Sequence, residues 1–280
     1  MTEFVVDETV IAAAERLSMA AETGQPVPPV RDLIGSDDVH AAYAVQERLA
    51  KARLAGGATV VGRKVGLTSK AVQEQLGVAQ PDFGVLFSDM EYEGGAEVPA
   101  DSILQPRAEA EIAFVLANDL AGDDIDHDRV RQAIAYAVAA IEICGSRVEG
   151  WDIHFGDTVA DNASAGAFVL GTQRMKLDEF EPRDVTMAMI IDGETVSTGN
   201  GAACLGDPID AVVWLARQTA AFGDPLRAGQ VILSGALGPM RPVAAGNRVR
   251  AVIEPLGAVQ FTLSPQNEPT GSSDNSEESR

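Results

Sequence analysis

The sequence predicts an α+β fold, in which a small helical N-terminal part precedes a strand-rich body with a rolled or barrel-like sheet. Apolar residues recur at helical spacing within residues 1–57, whereas short apolar runs separated by Gly, Pro and Asp follow in residues 58–264. These runs do not alternate regularly with helices of crossover length, which argues against a doubly wound sheet. Residues 265–280 contain nothing to bury and are expected to form a disordered acidic tail.

Two helices are expected in the N-terminal part, and the first of them is amphipathic. The first covers residues 7–22, with Asp7 as its N-cap. A stretch with three prolines then breaks the helical pattern. The second helix has Ser36 as its N-cap, followed by two aspartates that the helix dipole favours, and it ends near Leu54 before a pair of glycines.

Two further helices are expected in the body, over Arg129–Ala137 and Ile209–Ala221. The latter is better marked, because Asp207 can cap it, Pro208 suits its first position and Gly223 can close it. Seven short apolar runs are interpreted as strands: Thr59–Val61, Ala110–Leu116, Phe168–Leu170, Met187–Ile191, Val231–Leu233, Val249–Ile253 and Ala258–Leu263.

The composition limits the classes of function. The chain has 280 residues, of which 46% are hydrophobic, enough to bury a sizeable core. With 21 basic and 42 acidic residues, the formal net charge is −21. That balance argues against a non-specific nucleic-acid binder and against docking on anionic lipid.

Cysteine usage and the N-terminal residues favour the cytoplasm. Two cysteines, Cys144 and Cys204, cannot form a disulfide framework and suit a reducing compartment. The N-terminus lacks the basic and apolar regions of a signal peptide, and no uncharged apolar run is long enough to span a membrane. We therefore expect a cytoplasmic protein with no nucleic-acid or membrane partner.

Three glutamates are candidates for a metal site. On a strand, Glu109 and Glu111 point to the same face, because side chains alternate with a period of two. Such a pair alone is typical of a solvated face, but the residues after Glu111 are continuously apolar. Glu142 also lies in an apolar stretch, where a charge is costly unless it is paired or metal-bound. Three carboxylates without an accompanying His or Cys favour a hard cation, Mg²⁺ or Mn²⁺, with positions left open for a chelating substrate.

Lys64 and Asp82 are candidates for proton transfer. A lysine at a strand end is usually a solvated cation, whereas a partly buried Lys64 beside a metal can stabilise an enolate or move a proton. Gln80–Gly84 has the composition of a turn, so Asp82 either caps that turn or acts as a base. Asp161–Gly166 does not match the GxSxG nucleophile elbow, and Gly199–Gly201 is interpreted as a turn.

Five separated segments occur in the order found in a known family. They are Lys64–Gln73, Gln80–Gly84, Pro106–Glu111, Ala140–Ile143 and Asp157–Ser164. Together they resemble the 2-keto-4-pentenoate hydratases of the fumarylacetoacetate hydrolase superfamily, a group that includes 2-hydroxyhexa-2,4-dienoate hydratase and 4-oxalocrotonate decarboxylase. The resemblance extends from about residue 35 to residue 263.

The resemblance implies a mixed β-roll with a helical N-terminal part, assembled into homo-oligomers. It implies a divalent ion, Mg²⁺ or Mn²⁺, held by carboxylates that match Glu109, Glu111 and Glu142, and a family lysine that matches Lys64. Members act in meta-cleavage catabolism of aromatic compounds or sterols, and some associate with a downstream aldolase or a decarboxylase.

The implied activity is that of a hydro-lyase, which adds water to a 2-hydroxy-2,4-dienoate and gives a 4-hydroxy-2-oxoacid. Lys64 is expected to stabilise charge or transfer a proton near the 2-oxygen, and Asp82 to orient or activate water. Thr68 and Ser164 are candidates for hydrogen bonds to the substrate. The alternative is a 4-oxalocrotonate decarboxylase, which shares the metal ligands, although Asp82 favours the hydratase. A non-catalytic partner subunit is a further alternative, but it would be expected to lose ligands that this chain keeps.

Overall fold

A computed structural model describes residues 8–70, 73–74 and 78–264 and confirms the α+β fold. Its helices are α1 (Glu8–Thr23), α2 (Arg31–Ile34), α3 (Val39–Ala55), α4 (His127–Ala133), α5 (Phe155–Ala160) and α6 (Pro208–Ala221). In the described part of the chain, no helix is long and apolar enough to cross a membrane. The predicted Asp7 cap and the predicted tail over residues 265–280 lie outside the described residues. The division between residues 57 and 58 stays a prediction.

The strands form two mixed sheets. They are β1 (Val60–Gly66), β2 (Asp82–Phe87), β3 (Glu91–Glu93), β4 (Glu97–Val98), β5 (Arg107–Leu116), β6 (Ile134–Cys144), β7 (Ala165–Leu170), β8 (Thr186–Ile191), β9 (Glu194–Asn200), β10 (Val231–Ala236), β11 (Arg241–Pro242), β12 (Arg248–Glu254) and β13 (Gly257–Leu263). The eight-stranded sheet has the order β2-β1-β10-β5-β6-β7-β3, with β11 beside β5, and the five-stranded sheet has the order β4-β13-β12-β8-β9. The sheets pack through β6, β12 and β13 over a shared apolar core. All seven predicted strands have a counterpart.

The predicted helix Arg129–Ala137 is wrong beyond Ala133. α4 ends at that residue, and the chain continues directly into β6. Because β6 lies between β5 and β7 and is covered on both faces, its apolar residues form a continuous run instead of alternating. Periodicity cannot distinguish such a run from a buried helix.

Two predicted turns are also corrected. Asp82–Gly84 open β2, where they pair with β1, and Gly199 and Asn200 end β9. Gly, Pro, Asn and Asp favour turns locally, but sheet pairing decides the conformation of both segments.

The helix caps agree with the sequence at one position and differ at another. Asp207 caps α6 as predicted, because its Oδ1 accepts a hydrogen bond of 2.8 Å from the amide of Ile209. The cap of α3 is Asp38 instead of Ser36, since the Asp38 carboxylate reaches the amide of Ala41 at 3.0 Å.

A buried carboxylate connects the N-terminal helices to the body. Asp157 in α5 accepts hydrogen bonds of 2.9 Å from the amides of Val30 and Arg31 through Oδ1. Its Oδ2 accepts from the amide of His154 at 2.9 Å and from the Arg31 guanidinium at 2.8 Å. The same guanidinium also contacts the exposed carboxylate of Asp152 at 2.7 Å.

We expect Asp157→Ala to lower the free energy of unfolding by about 3–5 kcal/mol, because it leaves a guanidinium and backbone amides without their acceptor. Asp152→Ala is the matched control: it removes the exposed partner of the same arginine and should cost less than about 1 kcal/mol. Urea unfolding of both variants measures the difference. Equal losses would contradict the anchoring role of Asp157.

Candidate metal centre and active site

Two neighbouring strands bring the three glutamates together. In the antiparallel pair of β5 and β6, Glu109 lies directly opposite Glu142. Glu111 follows Glu109 by two residues and therefore points to the same face. Glu111 and Glu142 are 0% and 1% exposed, whereas Glu109 is half-buried. The predicted convergence of residues distant in sequence thus rests on the register of one strand pair.

The buried carboxylates have unused acceptor capacity. Glu111 accepts a hydrogen bond of 2.8 Å from the amide of Gly235 through Oε2, but its Oε1 accepts none from the described residues. Glu142 likewise accepts no hydrogen bond from the described residues. Its Oε1 does form an ion pair with the Lys64 ammonium, 3.1 Å away. Buried carboxylate oxygens are normally satisfied, so the two that have neither a hydrogen bond nor an ion pair among these residues, Glu111 Oε1 and Glu142 Oε2, indicate a site for a cation.

Electrostatics of the cluster also favour a cation. Burial raises the pKa of Glu142 to about 7 despite the opposing charge of Lys64, and the charge of Glu109 adds to the increase. Burial also raises the pKa of Glu111 well above its usual range, and the charges of Glu142 and Glu109 raise it further. A divalent ion bound among these carboxylates would relieve both the desolvation and the mutual repulsion.

Lys64 is buried in β1 and has two partners. Its Nζ forms the ion pair with Glu142 and donates a hydrogen bond of 2.9 Å to the carbonyl of Ala163. Burial disfavours its charge and is the largest single influence, but the surrounding acidic groups, led by Glu142, together outweigh it and raise the pKa of the Lys64 amine well above its usual value. The side chain is therefore a buried ammonium, not the solvated cation usual at a strand end.

Asp82 faces the same space as Lys64. Asp82 is opposite Gly66 in the β1–β2 pair. A Cβ atom on Gly66 would lie only 2.2 Å from Asp82 Oδ1 and 3.3 Å from Lys64 Nζ, so only glycine leaves the space between these two groups open. Burial raises the pKa of the Asp82 carboxyl, and the Lys64 charge opposes the increase.

A short hydrogen-bonded chain connects Asp82 to Ser164. Thr158 donates to Asp82 Oδ2 at 3.4 Å, and the hydroxyl oxygens of Thr158 and Ser164 are 3.2 Å apart. Asp82 Oδ1 accepts no hydrogen bond from the residues that the structure describes. These hydrogen bonds therefore hold Asp82 Oδ2 in place and leave Asp82 Oδ1 free on the side of Lys64.

Thr68 lies beside the residue that binds Glu111. A Cβ atom on Gly235 would be 2.4 Å from Thr68 Oγ1, and Gly235 has a φ of +112°. Both the close contact and the φ require glycine at this position. The structure thus brings all seven candidate residues into one region: Lys64, Thr68, Asp82, Glu109, Glu111, Glu142 and Ser164.

A left-handed turn supplies two groups to this region. Asn162, Ala163 and Ser164 have φ values of +55°, +51° and +55°, which non-glycine residues rarely adopt. The Asn162 side chain holds the turn, because it accepts from the amide of Val85 at 2.7 Å and donates to its carbonyl at 2.9 Å. The turn thereby directs the Ala163 carbonyl to Lys64.

The sequence interpretation missed four residues of this region: Cys144, Thr158, Asn162 and Gly235. Cys144 could have been found from the sequence, because it follows Glu142 by two residues in the same apolar run. On a strand, that spacing places both side chains on one face. Asn162 belongs to the family-like segment Asp157–Ser164 and to the mismatched nucleophile motif, but neither gives it a role. Thr158 and Gly235 have no signal in the local sequence, since their roles depend on long-range contacts.

The chain belongs to the fumarylacetoacetate (FAA) hydrolase C-terminal family, whose pattern matches residues 59–264. A Pseudomonas putida (strain F1) protein described as "TodF product hydratase" is 53% identical to it, over 88% of this chain and 92% of that protein. The 2-keto-4-pentenoate hydratase of Burkholderia vietnamiensis (strain G4) is 48% identical, over 92% and 98% of the two chains. The structure of 4-oxalocrotonate decarboxylase from Pseudomonas putida G7, complexed with magnesium and adipate, has a TM-score of 0.88 and 32% identity, and the match covers 92% of this chain and 98% of that chain.

Replacing the residue that holds the left-handed turn should destabilise the protein. Asn162→Ala leaves the amide and carbonyl of Val85 without their partners, and we expect a loss of about 2 kcal/mol in the free energy of unfolding. The exposed Asn118 is the matched control, and its replacement by alanine should change stability by less than about 0.5 kcal/mol. Urea unfolding tests both, and a neutral Asn162→Ala would show that the side chain does not hold the turn.

Proposed function

We propose that this protein is a divalent-metal-dependent hydratase, which adds water to a 2-hydroxy-2,4-dienoate and gives a 4-hydroxy-2-oxoacid. The observation that carries the proposal is the group of buried carboxylate oxygens of Glu111 and Glu142 that accept no hydrogen bond from the described residues, beside the Lys64 ammonium. The hydratases among its relatives support the same reaction class.

The donor set fits a hard divalent cation. Glu109, Glu111 and Glu142 would hold Mg²⁺ or Mn²⁺, because oxygen ligands suit these ions. A related decarboxylase whose structure contains magnesium supports that choice. When bound, the ion supplies Lewis-acid stabilisation of negative charge on the substrate oxygens.

Lys64 would act on the charge at the 2-oxygen. Hydration requires that the 2-hydroxyl proton leaves, that C5 and C3 each gain a proton, and that water adds at C4. A buried ammonium next to the 2-oxygen favours the negative charge that develops there, and in a site of low dielectric this interaction is strong. The Ala163 carbonyl and Glu142 orient the ammonium for this role.

Asp82 would orient or activate the attacking water. Its Oδ2 is held by Thr158, while its Oδ1 faces the space beside Lys64 and can accept a hydrogen bond from water. Burial raises its pKa above that of an ordinary aspartate, and a raised pKa makes a carboxylate a stronger base toward water. Thr68 and Ser164 are the proposed hydrogen-bonding partners of the substrate.

The alternative is a 4-oxalocrotonate decarboxylase, which the structural similarity to that enzyme favours. The buried Asp82 with a free oxygen instead favours hydration, because water addition needs a group to orient the water. A non-catalytic partner subunit is less well supported, since the carboxylates and Lys64 are all present. Assembly into homo-oligomers and association with an aldolase or decarboxylase are proposed from the family resemblance, and a cytoplasmic location is proposed from the cysteine usage.

Product identification tests the reaction. Purified protein with Mg²⁺ or Mn²⁺ should convert enzymatically generated 2-hydroxypenta-2,4-dienoate or 2-hydroxyhexa-2,4-dienoate to the 4-hydroxy-2-oxoacid, detected by NMR. With 4-oxalocrotonate we expect no release of CO₂. Decarboxylation without hydration would favour the alternative, and no turnover of any substrate would favour the partner subunit.

Lys64→Ala should lower kcat by at least about 100-fold, because the ammonium acts mainly on charge that develops in the transition state. The Kd for Mn²⁺ should change much less, since Lys64 is not a ligand. The exposed Lys70 provides the control, and Lys70→Ala should leave kcat within about twofold. A Lys64→Ala variant with normal kcat and raised KM would contradict this role.

A further inference from the structure

The proposed mechanism leaves one buried group of the centre without a role. Cys144 ends β6, two residues after Glu142, so both side chains lie on the same face. Its thiol is 3% exposed and donates a hydrogen bond of 3.5 Å to Glu109 Oε1. The thiol is thus in contact with one of the proposed ligands and adjacent to another.

Cys144 belongs to a compact group of potential ligands. One ligand atom each from Glu109, Glu142 and Cys144 lies within 4.8 Å of the other two, close enough to surround a single ion. The second observation is at Glu142, which is 1% exposed: its Oε1 contacts the Lys64 ammonium, but its Oε2 has no partner in the described part of the chain. A half-buried Glu109 leaves a route from solvent.

This group contains a sulfur ligand, whereas the three glutamates proposed for Mg²⁺ or Mn²⁺ offer only oxygen. Mg²⁺ and Mn²⁺ bind oxygen and gain little from sulfur, whereas Zn²⁺, Cd²⁺ and Co²⁺ bind thiolate well. We propose that the centre has a second ligand set, Glu109, Glu142 and Cys144, which takes a thiophilic divalent ion in place of the hard one. The ion replaces the thiol proton, which passes to solvent, and no oxidation state changes.

The two sets exclude each other, because they share Glu109 and Glu142. A thiophilic ion bound through Cys144 leaves Glu111 outside its ligands and occupies the position that the hard ion needs. The inhibitory consequence rests on the proposed function, whereas the binding itself does not. Low concentrations of Cd²⁺ or Zn²⁺ should therefore inhibit turnover in competition with Mn²⁺.

Spectroscopic titration of the metal-free full-length protein tests the binding. Co²⁺ or Cd²⁺ should produce a thiolate-to-metal charge-transfer absorption that saturates at one ion per chain. Cys144→Ser should abolish this absorption and weaken Cd²⁺ binding by at least about tenfold, while Mn²⁺ affinity changes by less than about threefold. Cys204→Ala, which removes the other cysteine, is the matched control and should retain the absorption.

A second variant tests the division between the two sets without a change at Cys144. Glu111→Gln should weaken Mn²⁺ binding by at least about tenfold and leave the Cd²⁺ absorption in place. Absence of the absorption in the unmodified protein, or its persistence in Cys144→Ser, would overturn the proposal. Because absorption is measured without substrate, the result is independent of whether the protein hydrates a dienoate.

Discussion

The pairing of β5 with β6 is the constraint on which the site depends. It places Glu109 directly opposite Glu142, and like charges in that arrangement destabilise a sheet. The rest of both strands is largely apolar and buried, so the hydrophobic effect holds a register that electrostatics alone would oppose. A slip of one residue would turn Glu142 to the opposite face and separate the carboxylates.

Lys64 offsets part of this repulsion, but burial of its own charge costs free energy. A buried ion pair stabilises a fold weakly, because both charges lose their hydration. Stability alone therefore does not explain the contact of Lys64 with Glu142, and the proposed function assigns the fixed ammonium to negative charge on the substrate. Lys64, Glu111 and Glu142 are almost completely buried, and fixed charges act more strongly in such surroundings than in water.

The sequence predicts the features that depend on neighbouring residues, and it does not predict those that depend on which strands pair. The shared face of Glu109 and Glu111 follows from strand periodicity, and the burial of Glu142 follows from its apolar neighbours. The segment around Asp82 does not decide between a turn cap and a base, because the Pro and Gly near it favour a turn. The pairing of β2 with β1, which the local sequence does not show, decides its conformation. The sequence predicts helix for the first residues of β6 for a related reason: a strand buried on both faces shows no alternation of apolar and polar residues.

The left-handed turn at residues 162–164 has a consequence for how this chain can vary. Side chains branched at Cβ are the least compatible with positive φ, and glycine and asparagine are the most compatible. Ala163 contributes only its main-chain carbonyl to Lys64, yet its backbone conformation restricts the residues it can be exchanged for. In a saturation mutagenesis library scored by activity, few substitutions at this position should be active, as is usual for a catalytic side chain. The restriction here arises from the backbone conformation and not from the chemistry of the side chain.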